Sequence, residues 1–454
     1  MVLCASAMAQ TGTEFWFVAP DVSSGHSDRP ILLRISSYAN PVTITISQPA
    51  NNSFAPISVT LGSNETQSVD LTSRITDVEN SPRNTVLNKG LLIESTDLIS
   101  VYYEVKSNDY NTDIFTLKGE NALGTDFVIP SQTYFVNSDN YTPAPYTGID
   151  IVATEDNTVI TVYPNWHYFA PSYLPYFLPF NITLDRGETY SLEATFIDFS
   201  WTLGSSVKLD GLAVTSTQPI AITLKDDSNE NSNYGSCADL MGDQLVPTSR
   251  IGTEYIVVKG FLKNGSSARD DRIYITATQN NTSIYIDGSN TPVATINRGQ
   301  QYEYTLSNAS THIEASNDVY VLHVTGFGCE LGMALLPTLY CTGSGQVSFT
   351  RSRVEEFYLI ILVPAGGQGQ FKINGNKNLI SASDFSNVPG TGGQWKQARI
   401  YFSDSDITTG SNYILSNSNT IFHAGIINGG DQTGTMYGYF TDFGNVTTEL
   451  IYHF

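Results

Sequence analysis

Hydrophobic and polar positions alternate with a period of two along most of the chain. The segments Ile151-Val-Ala-Thr-Glu-Asp-Asn-Thr-Val-Ile-Thr-Val162 and Ile275-Thr-Ala-Thr-Gln-Asn-Asn-Thr-Ser-Ile-Tyr-Ile286 each hold two such runs around a polar Asp-Asn or Asn-Asn pair. Those turn residues tolerate positive φ, so each segment predicts a β-hairpin. Residues Ile31 to Ile46 form a less tidy copy. Val, Ile, Thr, Tyr and Phe supply the apolar positions and stripes at i, i+3 and i+4 are scarce, which predicts an all-β protein.

The pattern repeats. Gly12-Thr-Glu-Phe15, Gly124-Thr-Asp-Phe127 and Gly252-Thr-Glu-Tyr255 each open onto apolar alternation, and Gly345-Gln-Val-Ser-Phe349 is a weaker fourth opening. Arg186-Gly187-Glu188 and Arg298-Gly299-Gln300 follow in the same order and read as turns. A second hairpin recurs around Ser95, Ser216, Ser316 and Ser416, at separations of 121, 100 and 100 residues. After residues 1–9, the chain therefore divides into repeats at 10–123, 124–251, 252–344 and 345–454. Each holds two hairpin-centred halves of about fifty residues, and a four-stranded propeller blade takes about 40 to 50. This predicts a β-propeller-like ring of paired four-stranded units, which shields sheet edges. Tandem β-sandwiches of about 100 residues each are the alternative.

Composition narrows the function classes. The 454 residues carry a formal charge of −22, the opposite of a nucleic-acid reader's basic footprint. Hydrophobic residues at 41%, with 26 Tyr and 22 Phe, exceed what disorder tolerates. The start, Met1 to Ala9, is a short apolar stretch ending in Ala7-Met8-Ala9, a small-x-small pattern that signal peptidase cuts after, so an extracellular or cell-surface location is expected. No later stretch reaches the roughly 18 apolar residues of a membrane span. With Cys4 removed, three cysteines remain. Cys329 and Cys341, twelve apart, are expected to pair and leave Cys237 free; three buried reduced thiols are the other reading.

The recurring Gly-Thr-Glu-Phe openings, Asp156-Asn-Thr158, Arg186-Gly187-Glu188, Thr217-Gln-Pro219-Ile220 and, above all, Cys237-Ala-Asp-Leu-Met-Gly-Asp-Gln-Leu-Val-Pro-Thr248 with Gly252-Thr-Glu-Tyr255 resemble the IgGFc-binding protein N-terminal domain, in the variant found in large secreted bacterial proteins. The resemblance spans nearly the whole mature chain. It implies a secreted recognition or adhesion module without enzymatic activity, and it carries no catalytic residues over to this sequence. Relatives often continue into further domains, so further domains of a longer chain are expected here too.

Candidate chemistry is sparse. Asp227-Ser-Asn229-Glu-Asn231-Ser-Asn233, preceded by Asp226 and followed by Asp239, places oxygen side chains at alternate positions as the first half of a Ca²⁺ loop does. The turn glycine is replaced by Ser232 and the position-twelve Glu by Ala238, so a solvated polar loop is the competing reading. The six histidines show no zinc spacing, and His323 and His423 look like duplicated strand positions. Between Val162 and Arg186 the second repeat is about a dozen residues longer than the third. The insertion brings Trp166, His167, Tyr168, Phe169, Tyr173, Tyr176, Phe177 and Phe180 among Pro171, Pro175 and Pro179. Stiffened aromatics of this kind suit contact with an extracellular glycoprotein or glycan, and Trp166, Tyr168, Phe169, Tyr173, Tyr176 and Phe177 are the candidate contact residues. An aromatic plug between repeats is the alternative. A structural spacer and an extracellular hydrolase complete the function classes.

Overall fold

A computed structural model describes residues 10–107, 110–164, 178–194, 208–230, 237–262, 271–339 and 342–444. Strands dominate it, and the described helices are short turns such as Ile75–Val78.

The first unit holds β1 (Gly12–Phe17), β2 (Ile31–Ser37), β3 (Val42–Ser47), β4 (Ile57–Leu61), β5 (Thr66–Asp70), β6 (Leu91–Val105) and β7 (Asp113–Thr116). The long β6 organises it. Residues 91–95 of β6 lie between β1 and β3, with β4 outside β3, while residues 99–105 lie beside β2 and β7, with β5 outside β2. One bent strand thus belongs to two four-stranded antiparallel sheets. Their inner faces close over Phe15, Phe17, Leu33, Ile44, Ile93 and Val101, the period-two apolar positions of the sequence.

The second unit repeats the design with β8 (Gly124–Val128), β9 (Val136–Asn137), β10 (Thr147–Ala153), β11 (Thr158–Tyr163), β12 (Phe180–Leu184), β13 (Thr189–Glu193), the long β14 (Ala213–Glu230) and β15 (Ala238–Gln244). The third has β16 (Gly252–Val258), β17 (Phe261–Leu262), β18 (Arg272–Ala277), β19 (Thr282–Ile286), β20 (Ala294–Ile296), β21 (Gln301–Thr305), the long β22 (Ser310–Gly328) and β23 (Glu330–Leu335). In the fourth, β24 (Gln346–Thr350), β25 (Glu356–Pro364), β26 (Phe371–Ile373), β27 (Ser386–Asn387) and β28 (Trp395–Phe402) precede a long strand broken into β29 (Asn412–Asn417) and β30 (His423–Gly429), then β31 (Thr435–Tyr439). The break separates the two sheets that the other units join.

The innermost strands close a ring: β7 packs on β15, β15 on β23, β23 on β31 and β31 on β7. The cores are shared in the same sense. The first unit's core takes Leu240 from the second, the second's takes Tyr320 and Leu322 from the third, the third's takes Tyr437 from the fourth, and the fourth's takes Tyr102 and Ile114 from the first. The two architectures weighed from sequence merge: each unit is a two-sheet body, and four of them stand in a ring.

The Arg-Gly turns latch neighbours together. Gly187 and Gly299 take φ of 83° and 78°, where a Cβ is unfavourable. Arg186 lies over the Trp16 ring at 5.1 Å and Arg298 bonds Asp126 at 2.8 Å, so each arginine reaches the opening strand of the unit before it. The expected second hairpin is instead the middle of one long strand in each of the first three units, Leu91–Val105, Ala213–Glu230 and Ser310–Gly328, and its register is one residue out of step with the serine frame in the first two. The equivalent hydroxyls are Thr96, Thr217 and Ser316, which accept the backbone N–H of Thr43, Val159 and Ser283. The histidine equivalence also fails: His423 faces Leu362, while His323 faces Ile273. Gly326 and Gly429, both with a φ of 157° on the strand that leads to an innermost strand, are the matching positions, and counting back from them places the two histidines three residues apart in the repeat frame.

Candidate functional site

The candidate contact residues Trp166, Tyr168, Phe169, Tyr173, Tyr176 and Phe177 lie outside the described residues. Their base is described. β11 and β12 pair from Thr158–Leu184 to Val162–Phe180, so the insertion leaves from the outer edge of a sheet. Tyr163, at 42%, and Leu178, at 73%, are exposed on either side of it.

The expected Ca²⁺ loop is strand instead. Asp226, Asp227 and Asn229 belong to β14 and are buried, and Asp239 is buried on β15, where it pairs with Asn229; Asn231 lies outside the described residues. A cation does sit among these oxygens, and it is the Lys208 ammonium. Its Nζ bonds Asp226 Oδ1 at 2.7 Å, Asp226 Oδ2 at 2.9 Å and Asn229 Oδ1 at 2.9 Å. Asn137 and Thr147 also donate to Asp226. Asp227 turns elsewhere, accepting from the Ser23 backbone at 2.8 Å and from Asn111 at 3.1 Å. Asp226 and Asn229 converge on this ammonium across an irregularity in the strand, and Asp227 points the other way, so the segment is a buried, bulged strand.

The cysteine pairing is also corrected: Cys329 is bonded to Cys237, with Cα atoms 5.9 Å apart, and Cys341 lies outside the described residues. Both bonded cysteines immediately precede innermost strands, β15 and β23, which the ring sets side by side. The pair of carboxylates beside the bond, Asp239 and Glu330, are both pushed up in pKa by burial, Asp239 further by the Glu330 charge.

The Cys237–Thr248 stretch turns out to be ring mortar. Asp243 bonds the Lys118 ammonium of the first unit at 2.7 Å and accepts the Leu335 N–H of the third at 3.1 Å. Gln244 accepts from the Lys118 N–H and donates to the Trp16 carbonyl. Gly242 leaves the space that the Phe115 ring fills. Thr248 donates to Asp126 at 2.8 Å. Sequence reasoning found the motif but not this role, since its partners lie far away in the chain and several are backbone groups of other repeats.

The nearest approach to a catalytic relay is Asp271–His323–Tyr437. His323 Nε2 lies 3.2 Å from Asp271 Oδ2 and its Nδ1 lies 2.7 Å from the Tyr437 hydroxyl. With the carboxylate fixing the proton on Nε2, the phenol donates to Nδ1. All three side chains are buried, and burial drives the Tyr437 pKa well up, the reverse of an activated nucleophile. The relay joins the third unit to the fourth.

An open cleft lies where the first and second units meet. One cavity of about 340 Å³ is lined by Asp21, Asp28, Glu79 and Lys89 among others, and a second of about 200 Å³ shares Asp21, Val22, Ser81 and Pro143 with it. The residues before β2 and around the Ile75–Val78 turn supply one wall, and the loop at Pro143 supplies the other. Glu79 is buried, and its pKa is driven well up by burial and by the charges of Asp21 and Asp28. Asp28 is held by Arg29 at 2.6 Å, and the Lys89 ammonium donates to the carbonyls of Thr76, Glu79 and Ser81. Lys225 lies 3.4 Å from the Tyr146 ring centroid and donates to the Asp21 carbonyl. The arrangement is suited to holding a cationic group.

No described helix is long and apolar enough to cross a membrane. No curated protein matches the chain. Residues 113–427 match the family described as IgGFc binding protein. The matched span opens at the first residue of β7 and runs through the second and third units into β30, and the first unit repeats the same strand order ahead of it. The matched span takes in the Cys237–Thr248 stretch and covers more than half of the sequence, and the chain belongs to the IgGFc binding protein family.

Proposed function

We propose that the protein is a secreted or cell-surface recognition module that binds an extracellular glycoprotein or glycan, with the aromatic insertion Trp166 to Phe180 as its principal contact. The observation that carries this reading is the pair of exposed apolar residues, Tyr163 and Leu178, at the base of the insertion on a sheet edge. Large apolar side chains left in water beside an aromatic, proline-stiffened segment suit a contact face. Insertions in repeat proteins map to one face, often the binding face. Membership of a binding family supports the same reading. The charge of −22 disfavours anionic partners and favours neutral glycans or basic protein patches.

A glycan and glycoprotein array probed with the purified chain tests it. Trp166→Ala and Tyr173→Ala are expected to weaken binding to an array hit by about 1 to 2 kcal/mol each, the scale of hot-spot contacts, with the melting temperature unchanged. A sharp fall in melting temperature with affinity intact assigns the insertion to packing instead, and release of fragments from an array member favours a hydrolase.

A further inference from the structure

We propose that the cleft between the first and second units takes the guanidinium of an arginine side chain presented by a protein partner. This rests on the reading of the chain as a recognition module and names the chemistry of one contact.

Two acceptors are open there. Glu79 is 7% exposed, lines the larger cavity, and its Oε1 has no hydrogen-bond partner. A buried acceptor without a donor is costly and invites a ligand. Asp21 lines both cavities, and among the described residues no donor bonds its carboxylate. The cations already present are engaged: Arg29 with Asp28, Lys89 with three carbonyls, and Lys225 with the Asp21 carbonyl and the Tyr146 ring.

The donor geometry of the ligand distinguishes the kinds of cation. Among the described residues Asp21, Asp28 and Glu79 do not form a trio close enough to share a metal ion. A guanidinium is a planar fork with five donors and spans separated carboxylates, whereas an ammonium acts as a compact point charge. The charge of −22 would steer a basic protein surface toward the ring.

Calorimetric titration of the full chain with Nα-acetyl-arginine amide and Nα-acetyl-lysine amide tests the proposal. Saturable binding of the arginine probe is expected, with the lysine probe several-fold weaker. Glu79→Gln and the more exposed Asp21→Asn are each expected to weaken the arginine probe about tenfold, the scale of a lost charge-assisted bond, with unchanged circular dichroism. Absence of saturation, equal affinity for both probes, or variants that bind as well as the parent would overturn it. If an array partner binds the Glu79→Gln chain undiminished and the arginine probe does not compete, the cleft assignment fails and the recognition reading stands. A silent array counts against the recognition reading alone, because the arginine titration decides the cleft independently.

Discussion

The Asp113 carboxylate accepts the backbone N–H of Tyr437 at 3.0 Å across 324 positions of sequence. It also accepts from Gly242 at 3.2 Å and Met333 at 3.5 Å. A single side chain of the first unit therefore meets the innermost strand of each of the other three. Burial pushes its pKa well up, and the amides oppose that shift. Asp113→Ala strands these N–H groups, each worth about 1 to 3 kcal/mol when left unsatisfied. The expected result is a loss of at least about 3 kcal/mol in denaturant unfolding, while the exposed Asp139→Ala stays within about 0.5 kcal/mol.

The Cys237–Cys329 bond closes a loop of 92 positions between the second and third units. On the chain-entropy account a loop of that length contributes about 4 to 5 kcal/mol. Digestion of the unreduced protein is expected to yield a linked peptide pair containing Cys237 and Cys329. Cys237→Ser is expected to lower the melting temperature markedly. A linked pair containing Cys329 and Cys341 would contradict the geometry.

Local patterning and a ring of paired sheets were legible in the sequence, and the contacts that close the ring were not. The Asp156-Asn157 turn, with Asn157 at a φ of 56°, and the Arg186-Gly187 turn are encoded by neighbouring residues, so spacing located them. Asp113, by contrast, bonds backbone amides, which carry no residue identity, and nothing around it in Asn111-Thr-Asp-Ile114 distinguishes a hub from a strand edge. The cysteines misled for a related reason. Short separation favours Cys329 with Cys341, but the ring brings together equivalent ends of neighbouring repeats. Asp227 and Asn229 read as a loop because alternating oxygen side chains fit the first half of a Ca²⁺ ligand set; the structure makes them part of a bulged strand, with Lys208, 18 residues upstream of Asp226, as the cation on Asp226 and Asn229.

That lysine makes a further expectation. Because its ammonium fills the space among Asp226, Asn229 and Thr147, the melting curve of the parent protein should be the same in chelator and in millimolar Ca²⁺. Lys208→Ala leaves Asp226 buried without its partner and is expected to cost about 3 to 5 kcal/mol. Calorimetry with and without Ca²⁺ checks both, and a calcium-dependent rise in the parent's melting temperature would show that the ion competes with Lys208.

His423 sets a pH dependence. It is fully buried, its Nε2 lacks a partner, and burial lowers its pKa from 6.5 to about 4. The unfolded chain therefore binds the proton first. Its effect on stability is absent above pH 6.5 and grows as pH falls toward 4, reaching about 2 to 3 kcal/mol of lost stability near pH 4.5. Asp150 and Asp442, both raised to about 6 by burial, act in the opposite sense over the same window. The His423 contribution is thus read as a difference: urea unfolding at pH 7.5 and 4.5 should show a larger acid loss for the parent than for His423→Leu. Parallel losses in the two proteins would mean that His423 is protonated in the folded state.

Close approach between units can be isolated with two glycines. Gly211 in the second unit and Gly392 in the fourth both have positive φ, 76° and 59°, so alanine at either position bears the left-handed cost of about 1 to 2 kcal/mol. They differ in surroundings. A Cβ on Gly211 would collide with the carbonyl of Gly299, the turn glycine of the third unit, whereas a Cβ on Gly392 meets nothing within 4 Å. Backbone on both sides of the Gly211 contact leaves no flexible side chain to yield, so the two units must separate locally. Gly392→Ala is therefore expected to lose about 1 kcal/mol, and Gly211→Ala several kcal/mol more, in parallel denaturant melts. Equal losses would show that the backbone approach of Gly211 to Gly299 does not hold the second and third units together at this turn.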